Sequence, residues 1–140
     1  MKSPIPRIMA LDDSRNDLDL LAASYPDLDI DRYIIDVPAG STALNALDGA
    51  LSHLERYRPT VLIVDLLWYD GEQYFDGIRF LRKACEQNLL KSVSLVIWSR
   101  YLQEASHLIR NLVPDFGRAQ LRNFMSLAKT EIPPLRELVG

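Results

Sequence analysis

Cysteine is almost absent from this chain. Cys85 is the only one in 140 residues, so no intrachain disulfide can form, and a solitary thiol without a His/Cys cluster gives no zinc site. That usage fits a reducing, cytoplasmic setting. Long apolar runs are missing as well. Even the run from Val61 to Trp68 is interrupted by Asp65, far short of the roughly 20 apolar residues of a membrane span. The N-terminal Met1–Arg7, with prolines at 4 and 6, lacks the apolar core of a signal peptide. Positive charge is not in excess: 16 Lys and Arg stand against 19 Asp and Glu, a net charge of -3. That balance withholds the phosphate-neutralising surface a nucleic-acid binder needs, so direct DNA binding is disfavoured. Glycine-rich phosphate loops and nucleophilic Ser/His/Asp signatures are absent too.

What is present is globular chemistry. A hydrophobic fraction of 48% with 25% charged residues argues against disorder, and the length suits one domain of the usual size, about 100–150 residues. Apolar runs and helical stripes alternate. Arg7–Leu11 reads as a buried strand stopping at Asp12-Asp13. Leu18, Leu21, Ala22 and Tyr25 follow at helical spacing, with Asp13 or Ser14 as the cap. Residues 29–37 predict a more polar strand ended by Pro38-Ala39-Gly40. Leu44, Leu47, Leu51 and Leu54 predict a helix begun by a Ser41 cap and closed near Arg58-Pro59.

Val61–Val64 is β-branched and apolar without alternation, as in a central parallel strand covered on both faces. A loop from Leu66 to Phe75 leads to a helix bearing Ile78, Leu81 and Cys85. Val93–Trp98 predicts a fourth strand, followed by a helix with Ala105, Leu108, Ile109 and Leu112 on one face, broken at Val113–Gly117. Phe124–Ala128 predicts a fifth strand, and Pro133-Pro134 opens a short last helix through Val139. Five strands alternating with five helices predict an α/β sandwich with a mainly parallel sheet. In such folds ligands bind at the carboxyl ends of the strands.

Four strand ends carry polar groups: Asp12 and Asp13 after the first, Asp65 after the third, Ser99 after the fourth and Lys129 after the fifth. Any one of them taken singly is a cap, a turn residue or a solvated side chain. Together on one rim they make a chemical set. Three carboxylates within several Å repel by roughly 4 kcal/mol per close pair at an effective dielectric near 20, so a positive charge belongs among them. Oxygen ligands of this kind suit Mg²⁺, with Lys129 a fixed charge on the opposite side. A metal, a lysine, a hydroxyl and a nucleophilic carboxylate are the parts needed to accept a phosphoryl group.

At these residues the sequence resembles the receiver domain of bacterial two-component response regulators. The match runs through Ile8–Ser14, Val61–Leu66, Asp76-Gly77-Ile78, Val96–Ser99 and Leu127–Lys129 and covers essentially the whole chain, 1–140, as a single domain with a short last helix and no effector domain. The resemblance implies a flavodoxin-like three-layer sandwich, a five-stranded parallel sheet of order 2-1-3-4-5 with helices on both faces. It implies Asp65 as phosphoacceptor, served by a sensor histidine kinase or a histidine phosphotransfer protein. It implies Mg²⁺ held by Asp13, Asp65 and the main-chain carbonyl of Leu67, with Asp12 acting mainly through water. Ser99 and Lys129 would each bind a phosphoryl oxygen. Such a domain is no enzyme beyond self-phosphorylation and self-dephosphorylation. It switches a downstream protein partner or an effector domain missing from this chain, and a homodimer through the output face stays open.

The chain also departs from the family pattern. Arg100 stands where a small residue normally follows the hydroxyl, and it could narrow access or reach the phosphate. Thr130 replaces the proline that usually follows the lysine in a cis peptide. Ser126 occupies the place of the switch aromatic, for which Phe124 and Tyr101 are substitutes, Phe124 being the better core candidate. The segment Leu66–Gln73 replaces the usual proline-containing turn, with Trp68-Tyr69 as a partner patch or as packing over the site. Bulky Leu67 and Tyr101 predict slow self-dephosphorylation.

These departures keep an alternative in play, a degenerate receiver acting as a constitutive interaction or dimerisation module. A Mg²⁺-dependent phosphohydrolase on a related fold is disfavoured, because Leu67 stands where its second Asp belongs. His53 and His107 read as surface or core-edge residues, Cys85 as a small core residue, and Arg79, Arg82 and Lys83 as a solvated helix face, with kinase docking the lesser option.

Overall fold

The computed structural model describes residues 5–35, 43–68 and 76–139. Its elements in chain order are β1 (Ile8–Asp12), α1 (Arg15–Ser24), β2 (Ile30–Ile34), α2 (Ala43–Tyr57), β3 (Val61–Val64), α3 (Asp76–Glu86), β4 (Ser94–Ser99), α4 (Ser106–Ala119), β5 (Asn123–Ala128) and α5 (Leu135–Val139). All strand pairs are parallel, and the sheet order is β2-β1-β3-β4-β5. This is the flavodoxin-like arrangement.

Strands β1, β3 and β4 are buried along their whole length, because helices cover both faces and their uninterrupted apolar runs have no solvent side. Side chains alternate between two cores. Met9, Leu11, Leu62, Val64, Leu95 and Ile97 meet Leu47, Leu54, Leu81 and Phe116 of α2, α3 and α4. Ile8, Ala10, Ile63, Val96 and Trp98 meet Leu18 and Leu21 of α1 and Leu135 and Leu138 of α5. Ser14 caps α1, its hydroxyl accepting from the Asp17 amide, which satisfies one of the free N–H groups of the first turn.

Two expectations need correction. Helix α4 is not broken at Val113–Gly117: it continues through Pro114 to Ala119. Pro114 and Val113 face solvent while Leu112, Phe116 and Ala119 keep the stripe buried, so the lost Arg110 carbonyl bond falls where water can replace it. Phe124 is not core either. It is 36% exposed on an edge strand, resting against the Phe116 ring at 4.9 Å between centroids. Smaller shifts at strand ends aside, β2 stops at Ile34 and β4 runs to Ser99. The Ser41 cap, the Pro38-Ala39-Gly40 turn and the segment 69–75 with Tyr69 lie outside the described residues.

Arg79, Arg82 and Lys83 are exposed as expected. Cys85 is only half-buried, and desolvation by its surroundings pushes the thiol up to about 11, which keeps it inert. His107 is exposed, whereas His53 is half-buried with Nε2 bonded to Asp31 Oδ2 at 2.5 Å, a link from α2 to β2. No helix among the described residues is long and apolar enough to cross a membrane.

Candidate functional site

The parallel sheet sends every strand's carboxyl end to one rim, and the order places β1 beside β3 there. The strand order reverses its direction of growth at this pair, from β1 outward to β2 on one side and from β3 outward to β4 and β5 on the other, leaving the crevice where ligands bind in folds of this kind. Asp12 ends β1 and Asp65 follows β3 directly; both are buried. Their backbones are stitched by Asp65 N–H donating to Leu11 O at 3.0 Å. Asp13 joins them half-buried, and the three carboxylates offer oxygen atoms all within 4.8 Å of one another.

Gly77 fixes the floor of the site. A Cβ at this position would lie 2.3 Å from the Asp65 carbonyl oxygen and 2.7 Å from Leu66 Cα, and the Gly77 amide donates to Leu66 O at 2.9 Å. Only a residue without a side chain lets α3 start this close to the Asp65 backbone. Trp68, fully buried, donates its indole N–H to Asp65 O at 2.8 Å. Leu67 lies between them in sequence and is half-buried.

Ser99 closes β4, fully buried, its Oγ accepting from the Tyr101 amide at 3.0 Å. Lys129 follows β5 with 4% of its side chain exposed. Its Nζ donates to Asp12 Oδ2 at 2.6 Å and to Asp17 Oδ2 at 2.7 Å, and stands 4.0 Å from Asp65 Oδ2. The Trp98 ring lies under the ammonium, 4.7 Å from its centroid, and anchors its own indole N–H on Glu131 O at 2.8 Å. A turn with Glu131 N–H on Ala128 O follows, and the Lys129–Thr130 peptide is trans, as are all the described peptides. The fold thus presents Lys129 without the cis proline.

Electrostatics mark this rim as short of positive charge. Burial, then the neighbouring Asp12, push Asp65 up to about 8, against the pull of Lys129 and Ser99. Burial and Asp12 likewise raise Asp13 to about 6. Burial opposes the charge on Lys129, yet Asp65 and Asp12 more than offset this and hold its ammonium above the usual range. Hard oxygen donors in excess of cations fit Mg²⁺, which takes a few carboxylates and keeps waters and substrate oxygens for the rest. Asp12, Asp13 and Asp65 are the residues that would hold it.

One member of the constellation was not legible as such. Asp17, in the first turn of α1, is buried and binds both Lys129 and Arg100. Read along the chain it looks like an acid favoured at a helix N-terminus. Asp13 precedes the Ser14 cap and is not helical, so no i,i+4 spacing links the two and nothing local in the sequence marks Asp17 as part of the site. Arg100, read from sequence as able either to narrow access or to reach the phosphate, pairs its guanidinium with Asp17.

Comparisons with known proteins bear on the fold. No family model matches the sequence, and no curated protein matches it. Among solved structures, the chain is similar to the signal receiver domain of a Luxo repressor protein from Vibrio parahaemolyticus, with TM-score 0.55 and 18% identity over 88% of this chain and 78% of that one. It is also similar to the RcsB response regulator of Salmonella typhimurium, with TM-score 0.60 and 15% identity. That match covers 94% of this chain but only 56% of the regulator. At such identities the likeness is one of fold, and the fold is that of receiver domains.

Proposed function

We propose that this chain is a phospho-accepting receiver domain that takes a phosphoryl group on Asp65 and switches the binding of a protein partner. The observation that carries this is the placement of Asp65: a buried carboxylate at the rim between β1 and β3, among Asp12 and Asp13, with Lys129 at 4.0 Å and Ser99 at the next strand end. The donor is a phosphohistidine on a sensor kinase or a phosphotransfer protein. Asp65 Oδ forms the new P–O bond as the P–N bond breaks, and the imidazole leaves with the electron pair and takes up a proton.

The rest of the site serves that transfer by position and charge. Lys129 pairs with one phosphoryl oxygen and the Ser99 hydroxyl donates to another. Asp13 and Asp65, with the Leu67 carbonyl and with Asp12 acting mainly through water, would hold Mg²⁺, which would supply positive charge toward the transferring group. The Gly77 contact keeps the Asp65 backbone fixed while its side chain reacts. The domain turns over no separate substrate. Leu67 and Tyr101, bulky at positions flanking the site, slow the attack of water on the acyl phosphate. Phosphate release should be faster from Leu67→Asn or Tyr101→Ala than from the wild type.

Incubation with Mg²⁺ and labelled acetyl phosphate tests the reading directly. Labelling of the wild type and its loss in Asp65→Asn are expected. A wild type that takes no label and binds no beryllofluoride is the alternative, a constitutive interaction module. That alternative draws its support from Asp17, which occupies the cations a phosphoryl group would use.

A further inference from the structure

Asp17 plays no part in the transfer just described, yet its carboxylate engages both cations beside the site. Oδ2 accepts from Lys129 Nζ at 2.7 Å and from Arg100 Nη1 at 2.7 Å, and Oδ1 accepts from Arg100 Nη2 at 2.9 Å. The Arg100 pair is the fork-on-carboxylate arrangement whose two parallel bonds fix orientation as well as charge. It joins the first turn of α1 to the residue after Ser99, across 83 positions of sequence. Lys129, shared between Asp12 and Asp17, is held 4.0 Å from the Asp65 oxygen it must serve. The Asp17 side chain is 11% exposed and that of Lys129 4%, so solvent weakens this pair little, whereas Arg100 is 57% exposed and its bonds are more screened.

We infer that Asp17 is a positioning residue that parks Lys129 and Arg100 together away from Asp65, so that a phosphoryl group arriving there must draw both cations from it. The inference rests on the phosphoacceptor reading. Its logic is a competition between carboxylate and phosphoryl oxygens for the same donors. In the resting site four carboxylates, of Asp12, Asp13, Asp17 and Asp65, face two cations. That balance favours a divalent cation. A phosphoryl group adds negative charge next to Asp65 and so competes with Asp17 for the donors of Lys129 and Arg100.

The two partners of one ion pair therefore have opposite effects. Asp17→Asn removes a negative charge and releases both cations, so Mg²⁺ alone binds more weakly while beryllofluoride, measured at saturating Mg²⁺, binds more tightly. Arg100→Ala removes one cation and leaves Asp17 wholly to Lys129, so Mg²⁺ binds more tightly and beryllofluoride more weakly. Each change should be about tenfold, the scale of one charge-assisted hydrogen bond. A merely structural pair would weaken both ligands in both variants.

The two tryptophans report binding, since Trp68 is bonded to the Asp65 carbonyl and Trp98 lies under Lys129. Titrations of wild type, Asp17→Asn and Arg100→Ala with MgCl₂, then with beryllofluoride, read the two affinities by fluorescence. Arg100 sits on the surface, so Arg100→Ala carries the test if Asp17→Asn does not fold. Beryllofluoride bound no better by Asp17→Asn, or no worse by Arg100→Ala, overturns the positioning role and leaves the phosphoacceptor reading standing. Beryllofluoride bound by none of the three overturns the phosphoacceptor reading and this inference with it.

Discussion

Two bidentate aspartate–arginine pairs tie distant parts of the chain together. Asp17–Arg100 sits at the rim of the sheet, and Asp27–Arg136 joins the turn after α1 to α5; their four bonds run from 2.6 to 2.9 Å. The bonds are alike and the surroundings are not. Asp27 and Arg136 are 56% and 60% exposed, where water and salt compete and such pairs contribute little. Asp17 shares its oxygen with Lys129 inside a group of buried carboxylates. Arg100 first, then Lys129 against the cost of burial, holds its carboxyl well below the usual range. Contact geometry does not distinguish a surface tie from a working part of a site. Burial and the next charge along decide it.

The largest effect should come from emptying the rim of its lysine. Lys129→Met leaves Asp12 and Asp17 without their buried partner, and urea denaturation at pH 8 should show a loss of about 3–5 kcal/mol. The loss should shrink at pH 5, below the values of about 6 and about 8 held by Asp13 and Asp65, since protonated neighbours need less compensation. Next comes the floor of the site. Gly77→Val drives a side chain into the Asp65 carbonyl, a backbone atom that cannot swing away, and should cost about 3 kcal/mol in the same measurement.

A third prediction concerns pH. Asp13 and Asp65 have raised values in the fold, so their contribution is fully present below the ordinary carboxyl value of 3.8 and is lost as pH rises through about 6 and about 8. Asp17, with its value lowered, acts in the opposite sense: its contribution is present above 3.8 and goes only in strong acid. Mg²⁺ should therefore stabilise the protein more at pH 8 than at pH 5. At about ten times its Kd the gain at pH 8 is about 1.4 kcal/mol, read as a shift of the denaturation midpoint. An equal shift at both pH values would break the link between these carboxylates and the metal. The smallest effect belongs to the surface pair. Arg136→Ala should leave the thermal midpoint and beryllofluoride binding where they are, and a large drop in either would erase the contrast drawn above.

How much of this was legible follows the range of each interaction. The strand ends at Asp12, Asp65, Ser99 and Lys129 could be found because periodicity is local and each strand stops at a polar residue. A cap for α1 at Asp13 or Ser14, of which the fold uses Ser14, and the short α5 after Pro133-Pro134 were legible for the same reason. The continuation of α4 through Pro114 was not, since a proline's cost depends on whether the lost bond faces water, which only packing settles. Phe124 misled because an aromatic residue in an apolar strand looks like core until β5 is placed at an edge of the sheet.

By itself the sequence determined which segments are strands and helices, and which polar residues stand at the carboxyl ends, because both depend on spacing along a few residues. Only the tertiary structure decided that Asp17 meets Lys129 across 112 positions and Arg100 across 83. It also decided that Gly77 lies against the Asp65 backbone. Charge and close approach act through space, and a chain read in order carries no record of which of its distant residues the folded sheet brings to one rim.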